Sequence, residues 1–337
     1  MKLFKIYFLH WWETITFDRI MFLYMITRRH IRIKVLQSVY SFTVAEKKGI
    51  ADEVQFFKES AFKITDLYLL MLSIFIGLND FIQEQLSTYK TNKIEDNFSN
   101  DLKHFTKNQV MQFLHSHPIL KERLKNKKFI RWEIEFIFLK ELLHTLFKSS
   151  VFKTHRLETS PSLKNDVNLI VYFFKEIVAP SNYLYDYLED KQITWIDDLP
   201  VVNTFLVKSL KNIDVNQNSS LHFPELHNST EDLLFGVELL EKTLQNDVVL
   251  QNEIEGKTPN WDSERIALMD RIILKTAIAE LLYFPLIPSK VTLNEYLEIA
   301  KDYSTPKSFH FVNGVLDKIV RDFSIENRLN KTGRGLL

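Results

Sequence analysis

Four cations crowd the start of one expected helix: Arg28, Arg29, Arg32 and Lys34, with Gln37 and Tyr40 further along it. A helix N-terminus already carries partial positive charge, so each cation there costs from a few tenths of a kcal/mol to about 1 kcal/mol. A charge run is usually a solvated face, but stability alone would not choose this placement. The chemistry it suggests is an anion grip, because free backbone N–H groups, the helix dipole and guanidinium forks all favour phosphate oxygen. Gln37 can read a base edge and Tyr40 can stack on an unpaired base, as single-stranded RNA recognition requires. On spacing alone Tyr40 is equally well a core aromatic.

Two further groups have the right chemistry for contacts. Lys307, Ser308 and Phe311 occupy the first turns of the last expected helix, behind Thr305 as cap and Pro306 as first helical residue. Phe311 suits core packing and base contact about equally. Glu264, Asp270 and Arg271 open another helix, which Asp262 is placed to cap. Acidic residues in a first turn complement the dipole, so Glu264 has a complete structural explanation.

Catalytic signatures are absent. There is no Gly-rich phosphate loop, no Gly-x-Ser-x-Gly and no His-Glu-x-x-His, and no cysteine to serve as nucleophile, zinc ligand or disulfide. His115 and His117 lack a third ligand at helical spacing and read as surface histidines. Glu133 and Glu135 point to different faces of a helix and make no acid/base pair. No enzyme activity, cofactor or metal is expected.

The elements that must position these residues are helices. The 337 residues are 45% hydrophobic, with 7 Gly and 9 Pro, and Leu/Ile/Phe/Lys/Glu-rich stretches recur; that is enough for one large core or two smaller ones. Ile31, Val35, Val39 and Phe42 form an apolar stripe ended by Gly49. Residues 51–90 read as one long helix or two, with Leu67–Leu78 apolar all round. Further helices are expected over 97–117, 119–148, 163–189 and 193–212. The polar run 216–220 marks the main boundary. After it come helices over 230–255, from Asp262 to Pro285, over 291–302 and from Thr305, where Val312, Val315, Ile319 and Phe323 share a face. Beyond Asn327 the polar tail reads as disordered.

Net charge is zero, with 43 Lys+Arg against 43 Asp+Glu, so any nucleic-acid site must be a local patch. Residues 1–24 are apolar and aromatic, but Glu13, Asp18 and Arg19 interrupt them and no signal cleavage site follows. The expectation is a start at Met25, the alternative a short membrane-associating segment. No uninterrupted apolar stretch reaches the roughly 18–20 residues of a span.

The stretch Arg265–Arg321 resembles the end of the NusB family of transcription antitermination factors. The match is carried by Arg271-Ile272-Ile273-Leu274, Ile278-Ala279-Glu280-Leu281, Ile287-Pro288-Ser289-Lys290-Val291, Asn294-Glu295, Glu298-Ile299-Ala300-Lys301 and the run Phe311–Lys318. Arg28-Arg29-His30-Ile31-Arg32, then Gln37 and Tyr40, is similar to the family's N-terminal basic helix. The resemblance implies an all-α NusB-like bundle with additional inserted helices. It divides into a mis-called or apolar extension (1–24), a basic helix (25–48), a helical insertion (49–225), a C-terminal domain (226–325) and a tail (326–337).

It also implies a cytoplasmic RNA-binding factor. It would bind boxA-like single-stranded leader RNA with NusE, a basic small-subunit ribosomal protein, and join RNA polymerase and other Nus factors on ribosomal RNA genes. The RNA residues would be Arg28, Arg29, Arg32, Gln37, Tyr40, Lys307, Ser308 and Phe311, and those facing NusE would be Glu264, Asp270 and Arg271. The sequence departs from the family at Lys307, a position often acidic, and at Phe309-His310. Gly314 is expected to let a neighbouring helix approach. The alternatives are an RNA-binding front end of a ribosomal RNA cytosine methyltransferase, whose Gly-rich loop and catalytic Cys are not found up to Leu337, or a helical docking scaffold.

Overall fold

The structure is a computed structural model that describes residues 26–45, 49–93, 95–125, 127, 131–158, 162–224, 231–257 and 266–332. Residues 1–24, Asp262, Glu264 and the end of the tail lie outside them. Among the described residues there are fifteen α-helices and no strand. The chain divides into two compact units. One is built from residues 26–62 and 227–337, the other from residues 63–226.

The first unit is assembled from both ends of the chain. Its N-terminal part is α1 (Arg28–Val44) and the opening turns of α2 (Ile50–Asn92). After the second unit's α3 (Asn97–Phe105), α4 (Gln109–Ser116), α5 (Pro118–Leu124), α6 (Phe136–Lys148), α7 (Ser150–Leu157), α8 (Leu163–Phe173), α9 (Asn182–Lys191) and α10 (Leu199–Lys211), the chain returns with α11 (Glu231–Gln245), α12 (Asp247–Lys257), α13 (Leu268–Tyr283), α14 (Ser289–Tyr303) and α15 (Pro306–Ile325). Helix α1 packs on α11 and α13, and α13 also meets α12, α14 and α15. This surrounds α13, and every residue from Ile272 to Leu281 is buried.

Close approach in this unit depends on one glycine. A Cβ on Gly236 of α11 would stand 2.3 Å from Phe57 Cζ and 2.6 Å from Ile31 Cγ2, both in the core. Gly314 is the opposite case. Nothing lies within 4 Å of its would-be Cβ, so the expectation that it admits a neighbouring helix is corrected: it faces outward.

In the second unit α2 is continuous and Leu67–Phe75 is buried throughout. By length and composition α2 could cross a membrane, but 72% of its apolar window is buried within the protein. Phe75, Phe105, Phe147, Phe152, Phe173 and Phe174 pack ring against ring around it. The helix expected over 97–117 is two, because Asn108 caps a new start by accepting from the Val110 and Met111 amides at 3.0 and 3.1 Å. The one expected over 230–255 is also two, parted at Asn246. The 216–220 run is no loose linker: Asp214 accepts from Asn216 and Gln217, and Ser220 Oγ donates to the Asp214 carbonyl. His115 and His117 diverge, one to Asp80 at 3.0 Å and the other to the Asn218 carbonyl at 3.0 Å.

Two corrections fall at the end of the chain. Helix α13 starts at Leu268 behind Ala267, which supplies no side-chain cap, and not at Asp262. The described tail residues, up to Thr332, are anchored on the helices rather than disordered. Lys331 Nζ donates to the Glu280 and Phe284 carbonyls at 3.3 and 3.0 Å, ending α13, and Arg328 bridges to Glu253 at 2.6 Å.

The two glycines make opposite predictions. Gly236→Ala overfills a tight crossing and should destabilise by about 1–3 kcal/mol. Gly314→Ala replaces a solvent-facing helical glycine and should stabilise by about 0.5–1 kcal/mol. Equilibrium denaturation of both variants checks the pair.

Candidate nucleic-acid interface

Helix α1 starts where Thr27 Oγ1 accepts from the His30 amide at 3.3 Å, and no acidic residue stands in its first turn. Most of its surface is buried. From the first turn to Tyr40 the accessible positions after Arg28 fall at helical spacing, Arg29, Ile33, Gln37 and Tyr40, and the last turn, 41–44, is accessible all round. Tyr40 is 41% exposed, which takes it out of the core. The stripe therefore aligns three residues singled out from the sequence, Arg29, Gln37 and Tyr40.

Arg32 is not among them. It lies on the inward flank of the helix, 2% exposed, and its Nε and Nη2 donate to Glu280 at 2.7 and 2.8 Å. Glu280 on α13 is fully buried and takes two more bonds, from Thr292 Oγ1 at 2.8 Å and Tyr296 OH at 3.3 Å on α14. The guanidinium also lies over the rings of Phe235 and Tyr296. Burial works against its charge, but the Glu280 hydrogen bonds and charge raise its pKa further. Burial, followed by the charge of Glu280, drives Tyr296 well above the ordinary tyrosine value. The assignment of Arg32 to an RNA grip is thus corrected: it is a core ion pair with no path to a phosphate. Lys34 is also buried, donating to Ser60 Oγ of α2 at 3.1 Å.

The two accessible arginines are both occupied. Arg28 donates to Asp232 at 2.9 Å, with Glu231 at 3.8 Å, and lies over Phe235. Arg29 forms a second fork, Nε to Glu295 Oε2 at 2.7 Å and Nη2 to Oε1 at 3.0 Å. The hydrogen bond to Glu295 raises Arg29 despite its burial. Burial pushes the Glu295 carboxyl up, but the hydrogen bond and charge of Arg29, with the charge of Arg32, hold it below the usual range. This accounts for the adverse placement of arginines at a helix start: carboxylates from α11, α13 and α14 neutralise them.

Beside α14 stands the front of α15. Thr305 caps it, accepting from the Ser308 amide at 3.2 Å, and the Thr305 and Ser308 hydroxyls bond at 3.0 Å. Lys307 is exposed, Ser308 and Phe311 are half-buried, and Val312, Val315, Leu316, Ile319 and Phe323 face the core. Lys301 of α14 sits 5.4 Å over Phe309, joining the two helices at this edge. Arg29 and Lys301 thus stand among Glu295, Glu298 and Asp302, and Lys307 is exposed at the neighbouring helix start.

The expected partner face is divided. Glu264 lies outside the described residues. Asp270 is buried and accepts from Ser304 Oγ, so it is occupied within the unit rather than offered to a partner. Arg271 is half-buried, with Nη2 3.5 Å from the Ile266 carbonyl. Spacing could not reveal Glu280, Glu295 and Asp232 as the arginines' partners, because each comes from a distant helix. Among the described residues no group of three metal-ligating side chains assembles.

Comparison with known proteins agrees on one region. A family model described as NusB family matches residues 204–321. A transcription antitermination protein NusB of Salinibacter ruber is 48% identical over 109 residues, covering 32% of this chain and 67% of that protein. The namesakes from Chloroherpeton thalassium and Geotalea daltonii are 39% and 40% identical, covering 32% and 28% of this chain and 50% and 66% of theirs. No solved structure matches the chain.

The buried pair predicts that Arg32→Ala, which strands Glu280, lowers stability by about 3–5 kcal/mol. Denaturant titration of the full chain measures it. A loss below about 1 kcal/mol would mean that the pair is solvated.

Proposed function

Since this chain belongs to the NusB family, we propose that it is a non-enzymatic, cytoplasmic RNA-binding factor for transcription antitermination. The observation that carries the reading is the partly accessible stripe of α1, where a half-buried guanidinium, a half-buried amide and an exposed phenol follow one another at helical spacing. These are the groups that single-stranded RNA requires: a cation for phosphate, a polar edge for a base, and a ring to stack on.

The reading extends to boxA-like leader RNA, bound with NusE and delivered to the RNA polymerase elongation complex with other Nus factors on ribosomal RNA genes. The RNA face consists of Arg28, Arg29, Gln37 and Tyr40, with Lys307, Ser308 and Phe311 at the start of α15. Its charge supports a joint site. Cations and carboxylates alternate there, so the chain alone attracts phosphate weakly, and a basic partner would complete the surface.

Fluorescence anisotropy with a short labelled boxA-like RNA tests this. With Arg32 and Lys34 buried, two to three cations remain for phosphates. The single-strand rule then gives a log–log salt slope of about −1.4 to −2.1. Tyr40→Ala should cost about 1–3 kcal/mol of affinity through lost stacking, and Lys307→Glu should weaken binding as well. A flat salt dependence together with an unaffected Tyr40→Ala would sink the reading.

A further inference from the structure

Helix α1 carries two bidentate arginine–glutamate forks three residues apart, and they differ in one respect. The Arg32–Glu280 fork is sealed, its side chains 3% and 0% exposed, with Thr292 and Tyr296 bonded to the same carboxylate. The Arg29–Glu295 fork is open, at 35% and 22%, and lies on the accessible stripe with Gln37 and Tyr40. A carboxylate in a guanidinium fork has the geometry of a phosphate in the same fork. A partly solvated pair of this kind can exchange its anion with solvent or ligand, whereas the sealed pair cannot lose one partner without stranding the other.

Glu295 does not stand alone. Glu298 and Asp302 follow it on α14, and the charges of both act on Arg29. Asp302 is raised by its burial and then by the charge of Glu298, while Arg29 and Lys301 oppose the shift. Lys301 pairs with Glu298. The charges acting on Arg29 are therefore three carboxylates of α14, with Lys301 paired to one of them, Glu298.

We propose that Glu295 is an internal stand-in for an RNA phosphate: it holds the Arg29 fork closed in the free protein and must be displaced for RNA to bind. The inference rests on the RNA-binding reading above and adds a gate to it. Displacement leaves Glu295, Glu298 and Asp302 short of one cation. The surface that RNA opens is then an anionic row suited to a basic protein partner, and by linkage a partner that takes the row raises RNA affinity.

The test uses the full-length chain and a short labelled boxA-like RNA, compared across wild type, Glu295→Gln, Arg29→Ala and the double variant. The gate predicts that Glu295→Gln binds about three- to tenfold tighter and that its salt slope steepens by up to about 0.7, since no carboxylate regains counterions. It also predicts that the gain vanishes in the Arg29→Ala background. Matching melting curves for wild type and Glu295→Gln ensure that affinity is read on folded protein. If wild type binds RNA and Glu295→Gln binds equally or more weakly, the gate is overturned while the RNA reading stands. A gain that persists without Arg29 overturns it too, since it would reflect only the lost charge. If neither wild type nor Glu295→Gln binds RNA, both readings fall.

Discussion

A guanidinium and a carboxylate taken out of water together set the terms for the unit built from both ends of the chain. Arg32 and Glu280 come from helices 248 residues apart in sequence, and neither charge is tolerable in the core without the other. Thr292 and Tyr296 complete the acceptor set of Glu280, so three helices are held to one geometry by one carboxylate. An apolar pair of equal volume would fill the space without specifying rotation or register. The fork does specify them, because a bidentate pair tolerates little change in angle. It fixes which side of α1 turns inward, and therefore which side remains for recognition.

That rotation explains how a chain with no net charge can present a candidate nucleic-acid face on α1. The cluster at the start of α1 is divided by depth. Two cations are consumed by the core, and two are left at the edge, each paired with a carboxylate. The resulting surface is balanced rather than basic, and on the proposed reading its affinity for RNA depends on which anion occupies the Arg29 fork. Electrostatics of this kind favours selectivity and coupling over raw attraction.

Much of the architecture was legible in advance. The all-helical class followed from the scarcity of glycine and the recurrent three-and-four spacing, and the inward face of α15 was read residue by residue from Val312 to Phe323. Breaks inside long periodic stretches were not legible. Asn108 and Asn246 look like ordinary polar positions until their neighbours end a helix. Asp270 reads as partner-facing through the family resemblance, yet α14 ends against it and Ser304 bonds it. The tail read as disordered from composition, and Lys331 shows why composition misleads: one cation can cap the exposed carbonyls of a distant helix.

The sequence by itself determined the local terms: which segments are helical, which face of each is apolar, where Thr305 and Pro306 start a helix, and that any binding patch must be small. The tertiary structure decided which members of the cationic cluster are chemistry and which are scaffold. The reason is range. Periodicity and capping act over a few residues and can be read along the chain. The pairing of Arg28, Arg29 and Arg32 with Asp232, Glu295 and Glu280 spans more than two hundred residues, and only folding brings those charges within reach of one another.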